Sequence, residues 1–210
     1  MRFASTSVLV VAAAVACRPS DAPVPAETTA SSPRVGGEST VAVGRVEADY
    51  VISASGIGPI LLAMTLDEAR GAVRTAAFQR ASDGDGAALV EVALAPKATM
   101  MLWAGEDDAD AAVDWSKRIV NIETFSAAFH TSAGIHPGSL VTDVERAYGR
   151  TRTITLSEIE SRQYIEFEAQ PAWLTFRLDY TGIFQGGGRT TTAYSPGAKI
   201  HSIAIASPPR

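Results

Sequence analysis

From Val41 onward two hydrophobic periods organise the chain, one of two residues and one of about 3.6. The two-residue alternation recurs in segment after segment. Val90, Val92 and Leu94 flank Glu91 and Ala93, and Leu174, Phe176 and Leu178 interleave with Thr175, Arg177 and Asp179. Such alternation sets one side of a strand in a core and the other in solvent. It predicts strands over 88–94, 99–104, 118–125, 151–156, 163–169, 173–180 and 199–205. The helical period occurs twice: Leu66, Ala69 and Val73 share one face, and Leu140, Val144, Ala147 and Tyr148 share another. Thr65 with Glu68 forms a capping box, Ser139 is the N-cap candidate of the second helix, and Gly149 is its C-cap signal.

Each helix follows a Gly-Ile motif, Gly56-Ile57-Gly58-Pro59 leading to Met64-Thr65 and Gly134-Ile135-His136-Pro137 leading to Gly138-Ser139. Strands follow each helix in similar order. The expected fold class is therefore α+β: two tandem helix-plus-antiparallel-sheet repeats, 41–130 and 131–210, with the helices packed on one sheet face. The expected core is Leu66, Val90, Val92, Leu102, Val120, Ile122, Val144, Ile154, Ile165, Phe167, Leu174, Phe176, Leu178, Ile203 and Ile205.

The N-terminus has a different pattern. Arg2 precedes an uninterrupted small apolar run from Ser7 to Ala16, too short to span a bilayer, for which about 20 residues are needed. It reads as a signal peptide, 1–16. Ala14-Val15-Ala16-Cys17 resembles the lipobox of bacterial lipoproteins, with Ala14 where that family prefers Leu; an ordinary Ala-x-Ala cleavage site would cut before the same residue. Cys17 is the one cysteine of the chain, which excludes an internal disulfide and leaves a lone thiol in an oxidising compartment unless acylation consumes it. The stretch 17–40, rich in Pro, Ser, Thr and Ala, lacks the bulky apolar residues that would repay ordering and reads as a flexible tether behind the lipidated cysteine. The expected address is export and lipid anchoring to the cell envelope. Because Arg18 is not the Asp of inner-membrane retention signals, that means the periplasmic side of the outer membrane in a two-membrane cell.

Segments 56–70, 118–123 and 131–149 resemble a broad, largely uncharacterised group of exported bacterial proteins. Their pattern reads Gly-[Ile/Leu]-Gly-Pro, then Gly-Met-Thr opening a helix, and later Thr-x-x-Gly-Ile-x-x-Gly-[Ser/Asp] before a helix ending Tyr-Gly. Here Ala63 replaces the Gly before Met64-Thr65, and Pro137 lies inside the second motif. The tandem plan is similar to beta-lactamase inhibitor protein and small outer-membrane assembly lipoproteins. What that resemblance implies is architecture and a tendency to act by binding proteins, since one scaffold hosts many functions.

Charge and chemistry narrow the function further. A formal net charge of −5, without a lysine cluster, argues against nucleic acid. His130, His136 and His201 lack the spacing of a shared metal site, and no nucleophile elbow or phosphate loop is present, so neither metal nor cofactor is expected. Asp83-Gly84-Asp85-Gly86 reads as a turn, and the acidic run 106–110 as a solvated loop before a helical turn at 111–115, each in preference to a calcium loop. Ser139, His136 and Asp143 form a candidate triad, weighed against the simpler reading that Ser139 and Asp143 open a helix.

The solvated sheet face is the candidate site. In the second half it carries Tyr164, Glu166, Glu168, Trp173, Thr175, Arg177 and Asp179, and in the first half Trp103, with Glu91, Met101, Asn121 and Glu123. Exposed aromatics supply contact area for proteins and stacking platforms for sugars. The expected function is that of a non-catalytic envelope lipoprotein binding a protein or glycan through this open face. The alternatives are an envelope hydrolase with an unrecognised site, and a spacing factor without a dedicated ligand.

Overall fold

The computed structural model describes residues 50–159 and 161–206. The expected signal peptide, Cys17 and the expected tether lie outside the described residues. In chain order the elements are β1 (Val51–Ile52), β2 (Gly56–Ile57), β3 (Ile60–Leu61), α1 (Leu66–Ala72), β4 (Ala77–Ser82), β5 (Ala88–Ala95), β6 (Ala98–Trp103), β7 (Asn121–Thr124), β8 (His130–Thr131), α2 (Val141–Tyr148), β9 (Thr151–Ser157), β10 (Arg162–Phe167), β11 (Leu174–Leu178), β12 (Thr190–Thr191) and β13 (Ile200–Ala206). They form a four-stranded sheet of order β3-β2-β1-β8 and a nine-stranded sheet of order β12-β9-β10-β11-β13-β7-β6-β5-β4. Every pairing in the larger sheet is antiparallel.

This overturns the expected α+β tandem repeat. The fold is mostly β, and its helices are only 7 and 8 residues long. The reason lies in β13, which pairs with β11 on one side and β7 on the other. The two sets of strands therefore merge into one continuous sheet and do not close as separate repeats. Segments without clear alternation, notably those forming β1 to β4, β8 and β12, add further strands.

The expected core holds, with one exception. Leu66, Val90, Val92, Leu102, Ile122, Val144, Ile154, Ile165, Phe167, Leu174, Phe176, Leu178, Ile203 and Ile205 are all buried, whereas Val120 is 46% exposed and its neighbour Ile119 is buried. The main chain changes partner here: Ile119 N–H donates to the Met64 carbonyl and Val120 N–H to that of Trp103, both at 2.8 Å. That switch shifts the facing by one residue. Phe167 and Phe176 meet edge to face at 5.6 Å, and Tyr148 of α2 lies 5.8 Å from Phe176. Ile52, Ile57, Ile60 and Phe129, in or beside the small sheet, join the same core.

Local chemistry explains the helix starts. Thr65 Oγ1 accepts from Glu68 N–H at 3.1 Å while Glu68 Oε2 accepts from Thr65 N–H at 2.7 Å, the reciprocal box that satisfies two otherwise orphaned donors. Ser139 does not cap α2. The N-cap is Leu140, without a side-chain bond, and Ser139 Oγ instead accepts from His136 N–H at 3.0 Å. The two motif glycines serve different ends. A Cβ on Gly56 would lie 2.3 Å from the Ile60 carbonyl oxygen, so close approach demands glycine, whereas Gly134 has φ +77 and is required for its left-handed backbone.

Candidate functional site

The face of the large sheet opposite the core is assembled by register. Tyr164 on β10 stands opposite Arg177 on β11, and Arg177 opposite Ser202 on β13. One row along, Thr175 stands opposite Ala204, Ala204 opposite Glu123 on β7, and Glu123 opposite Met101 on β6; Asn121 stands opposite Trp103. Because directly opposed residues in a sheet share a face, side chains contributed by both halves of the chain converge on one surface.

That surface is folded into a cavity by its ends. The turn between β4 and β5 and the turn between β9 and β10 meet where Arg162 Nη2 lies 3.4 Å from Asp83 Oδ2 and 3.8 Å from Asp85 Oδ2. Four strands separate β10 from β5 in the sheet order, so this contact requires the sheet to curl over its own open face. Asp83 is held for the purpose: its Oδ1 accepts from the N–H groups of Asp85 at 3.0 Å and Ala87 at 2.8 Å. Burial raises the Asp83 pKa, but the two backbone bonds and Arg162 together outweigh it and leave the carboxyl below its ordinary value.

The resulting half-open cavity measures about 900 Å³, within the roughly 300–1,000 Å³ typical of sites for small ligands. Trp103, 46% exposed, and Tyr180, 55% exposed, present ring surface to it, joined by Phe125 and Ile159 at the rim. Five charged side chains line it: Asp83, Asp85, Glu123, Arg162 and Arg177. Asp83 and Asp85 are bound to Arg162, and Glu123 accepts from Ser202 Oγ at 2.5 Å. The Arg177 side chain makes no ion pair or hydrogen bond among the described residues, and its Nε is buried without an acceptor. An unsatisfied buried donor costs about 1–3 kcal/mol, which makes this arginine the chemically unfinished group of the site.

Of the candidate residues, the cavity brings together Tyr164, Thr175, Arg177 and Trp103, and it does not include the other four. Trp173 is half-buried and packs against the core; it precedes β11, where the alternation no longer fixes its side. Glu166 pairs with Arg152 at 2.5 Å, Glu168 Oε2 accepts from Arg150 N–H at 3.3 Å, and Asp179 lies 4.0 Å from His201 Nδ1. Sequence reasoning missed Tyr180, Phe125, Ile159 and the Arg162–Asp83 contact. The Asp-Gly pairs signalled the turn, but nothing local signalled its distant partner.

The other candidates resolve into structural bonds. The His136 ring faces the Pro137 carbonyl at 2.8 Å and Asp143 pairs with Arg146 at 2.5 Å, so Ser139, His136 and Asp143 do not form a triad. Glu106, in the second acidic run, binds Arg80 through two 2.8 Å bonds. Among the described residues no three His, Cys, Asp or Glu side chains gather as a metal site. A smaller hollow of about 510 Å³ lies beside α1, where Arg70 stacks 4.3 Å from the Trp115 ring.

No protein-family model and no curated protein matches this chain. Among solved structures it is similar to the crystal structure of the uncharacterized protein yfeY from Escherichia coli, with 12% sequence identity, a TM-score of 0.48, and coverage of 74% of this chain and 99% of that one.

Proposed function

We propose that this protein is a non-catalytic binding protein of the bacterial cell envelope, tethered through a lipidated Cys17, that takes a glycan in the cavity on the open face of its large sheet. The observation carrying this reading is the composition of the cavity. Exposed rings of Trp103 and Tyr180 stand beside short hydrogen-bonding side chains such as Asn121 and Thr175, the combination that stacks on sugar rings and reads their hydroxyls. An extended peptide is served less well, because the floor strands β10, β11, β13, β7, β6 and β5 each have a neighbour on both sides and leave no free main-chain edge across the floor. A hydrolytic role has little support on this floor. Among the described residues the hydroxyl bound to a carboxylate on this floor is Ser202, on Glu123, and Ser202 is only 1% exposed, out of reach for attack on a substrate.

The test is a glycan array followed by titration of any ligand with the full-length protein in detergent. Trp103→Ala is expected to weaken binding at least tenfold, about 1.4 kcal/mol, without moving the melting temperature. Binding that ignores Trp103→Ala would remove the cavity from consideration.

A further inference from the structure

We propose that the glycan is an acidic one, bearing a carboxylate that Arg177 recognises; this rests on the glycan reading above and specifies its ligand. Every other charge lining the cavity has a partner within the protein. Asp83 and Asp85 bind Arg162, and Glu123 binds Ser202. Arg177 alone of the five lines the cavity without one among the described residues, even though Glu123 reaches Ser202, the residue directly opposite Arg177. The sheet thus sets a cation beside a carboxylate and directs that carboxylate elsewhere.

A guanidinium held in a wall without a protein acceptor is suited to a planar oxyanion, which it binds through paired N–H donors. The surrounding charge selects the kind of anion. Two arginines face three carboxylates, so the lining carries one net negative charge. Arg177 neutralises a singly charged carboxylate, which meets less repulsion from Asp83, Asp85 and Glu123 than a doubly charged phosphate would. The flanking Tyr164 and Thr175 side chains place ring surface and a hydroxyl beside that position, as the ring and hydroxyls of an acidic sugar require.

The experiment titrates full-length protein with acid and neutral pairs of the same skeleton: trigalacturonic acid against its methyl ester, sialyllactose against lactose, and an N-acetylglucosaminyl-N-acetylmuramic acid disaccharide against its carboxyl-reduced form. At least one acid is expected to bind tenfold more tightly than its neutral partner and to shift the Arg177 Nε–H resonance. Arg177→Gln should abolish the preference while leaving the neutral sugar within twofold. Equal binding of acid and neutral sugars, unchanged by Arg177→Gln, would overturn the proposal and leave the glycan reading intact. Loss of both forms in Arg177→Gln would assign Arg177 to shaping the site and equally overturn it. Binding of no sugar in the set would remove both readings.

Discussion

Arg162 reaches Asp83 across 79 positions of sequence, Nη2 to Oδ2 at 3.4 Å, and joins turns from opposite ends of a nine-stranded sheet. Asp83 serves this contact and also accepts from two backbone N–H groups of its own turn. Asp83→Ala removes both functions and is expected to cost about 1–3 kcal/mol in denaturant unfolding. Asp83→Asn keeps an acceptor for the turn and should cost less. Equal losses would mean that the charge on Asp83, and not its turn bonds, carries the effect.

Among the described residues Glu106 and Arg80 form the best-shielded ion pair, with side chains 8% and 18% exposed, and Glu106 Oε1 also accepts from Asp114 N–H at 2.8 Å. The bond from Arg80 is the largest influence on Glu106 and, against burial, holds its carboxyl below the ordinary value. A carboxyl with a depressed folded pKa contributes stability fully above its unfolded pKa, about 4.3, and loses it as pH falls through the lower folded value. Glu106→Gln should therefore cost about 2–4 kcal/mol at neutral pH and flatten the acid limb of the stability curve. A variant whose stability falls as steeply below pH 4 as the parent's would contradict this assignment.

Substitutions of Phe176, Trp173 and Trp103 separate core from site. Phe176 is fully buried against Phe167 and Tyr148, so Phe176→Ala should cost about 3–5 kcal/mol. Trp173 packs partly on the core and outside the cavity. Trp173→Ala should lower stability by about 1–3 kcal/mol and leave glycan affinity unchanged, the reverse of Trp103→Ala. Loss of affinity in a stably folded Trp173→Ala protein would show that the site extends past β11.

The proposed anchor is tested in cells. Cys17→Ser should prevent acyl labelling and move the protein from the membrane to the soluble fraction, because stable anchoring needs more than one buried acyl chain or signal. Unchanged processing and membrane association would end the lipoprotein reading.

What the chain disclosed in advance was local. Two-residue alternation placed Phe167, Phe176, Ile203 and most of the core on the correct side, and Thr65 with Glu68 announced a helix start. Arg177 and Trp103 were legible as exposed members of alternating strands. Pairing partners were not legible, because register between distant strands leaves no mark on either segment alone. For that reason the similar order of elements in the two halves suggested separate repeats, although β13 joins their strands. Val120 shows the same limit at small scale: a change of hydrogen-bond partner inside one segment reversed its facing.

The place of β13 has a consequence in time as well as in space. This strand follows every other described strand in sequence yet occupies the middle of the large sheet. Until 200–206 is made, β11 and β7 each end in an unpaired edge, and such edges invite pairing with other chains. Neither group of strands can therefore settle early, and closure across so long a loop is a slow step. Under the proposed export, late closure would favour delivery in an unfolded state, with the cavity completed only once β13 has reached its place.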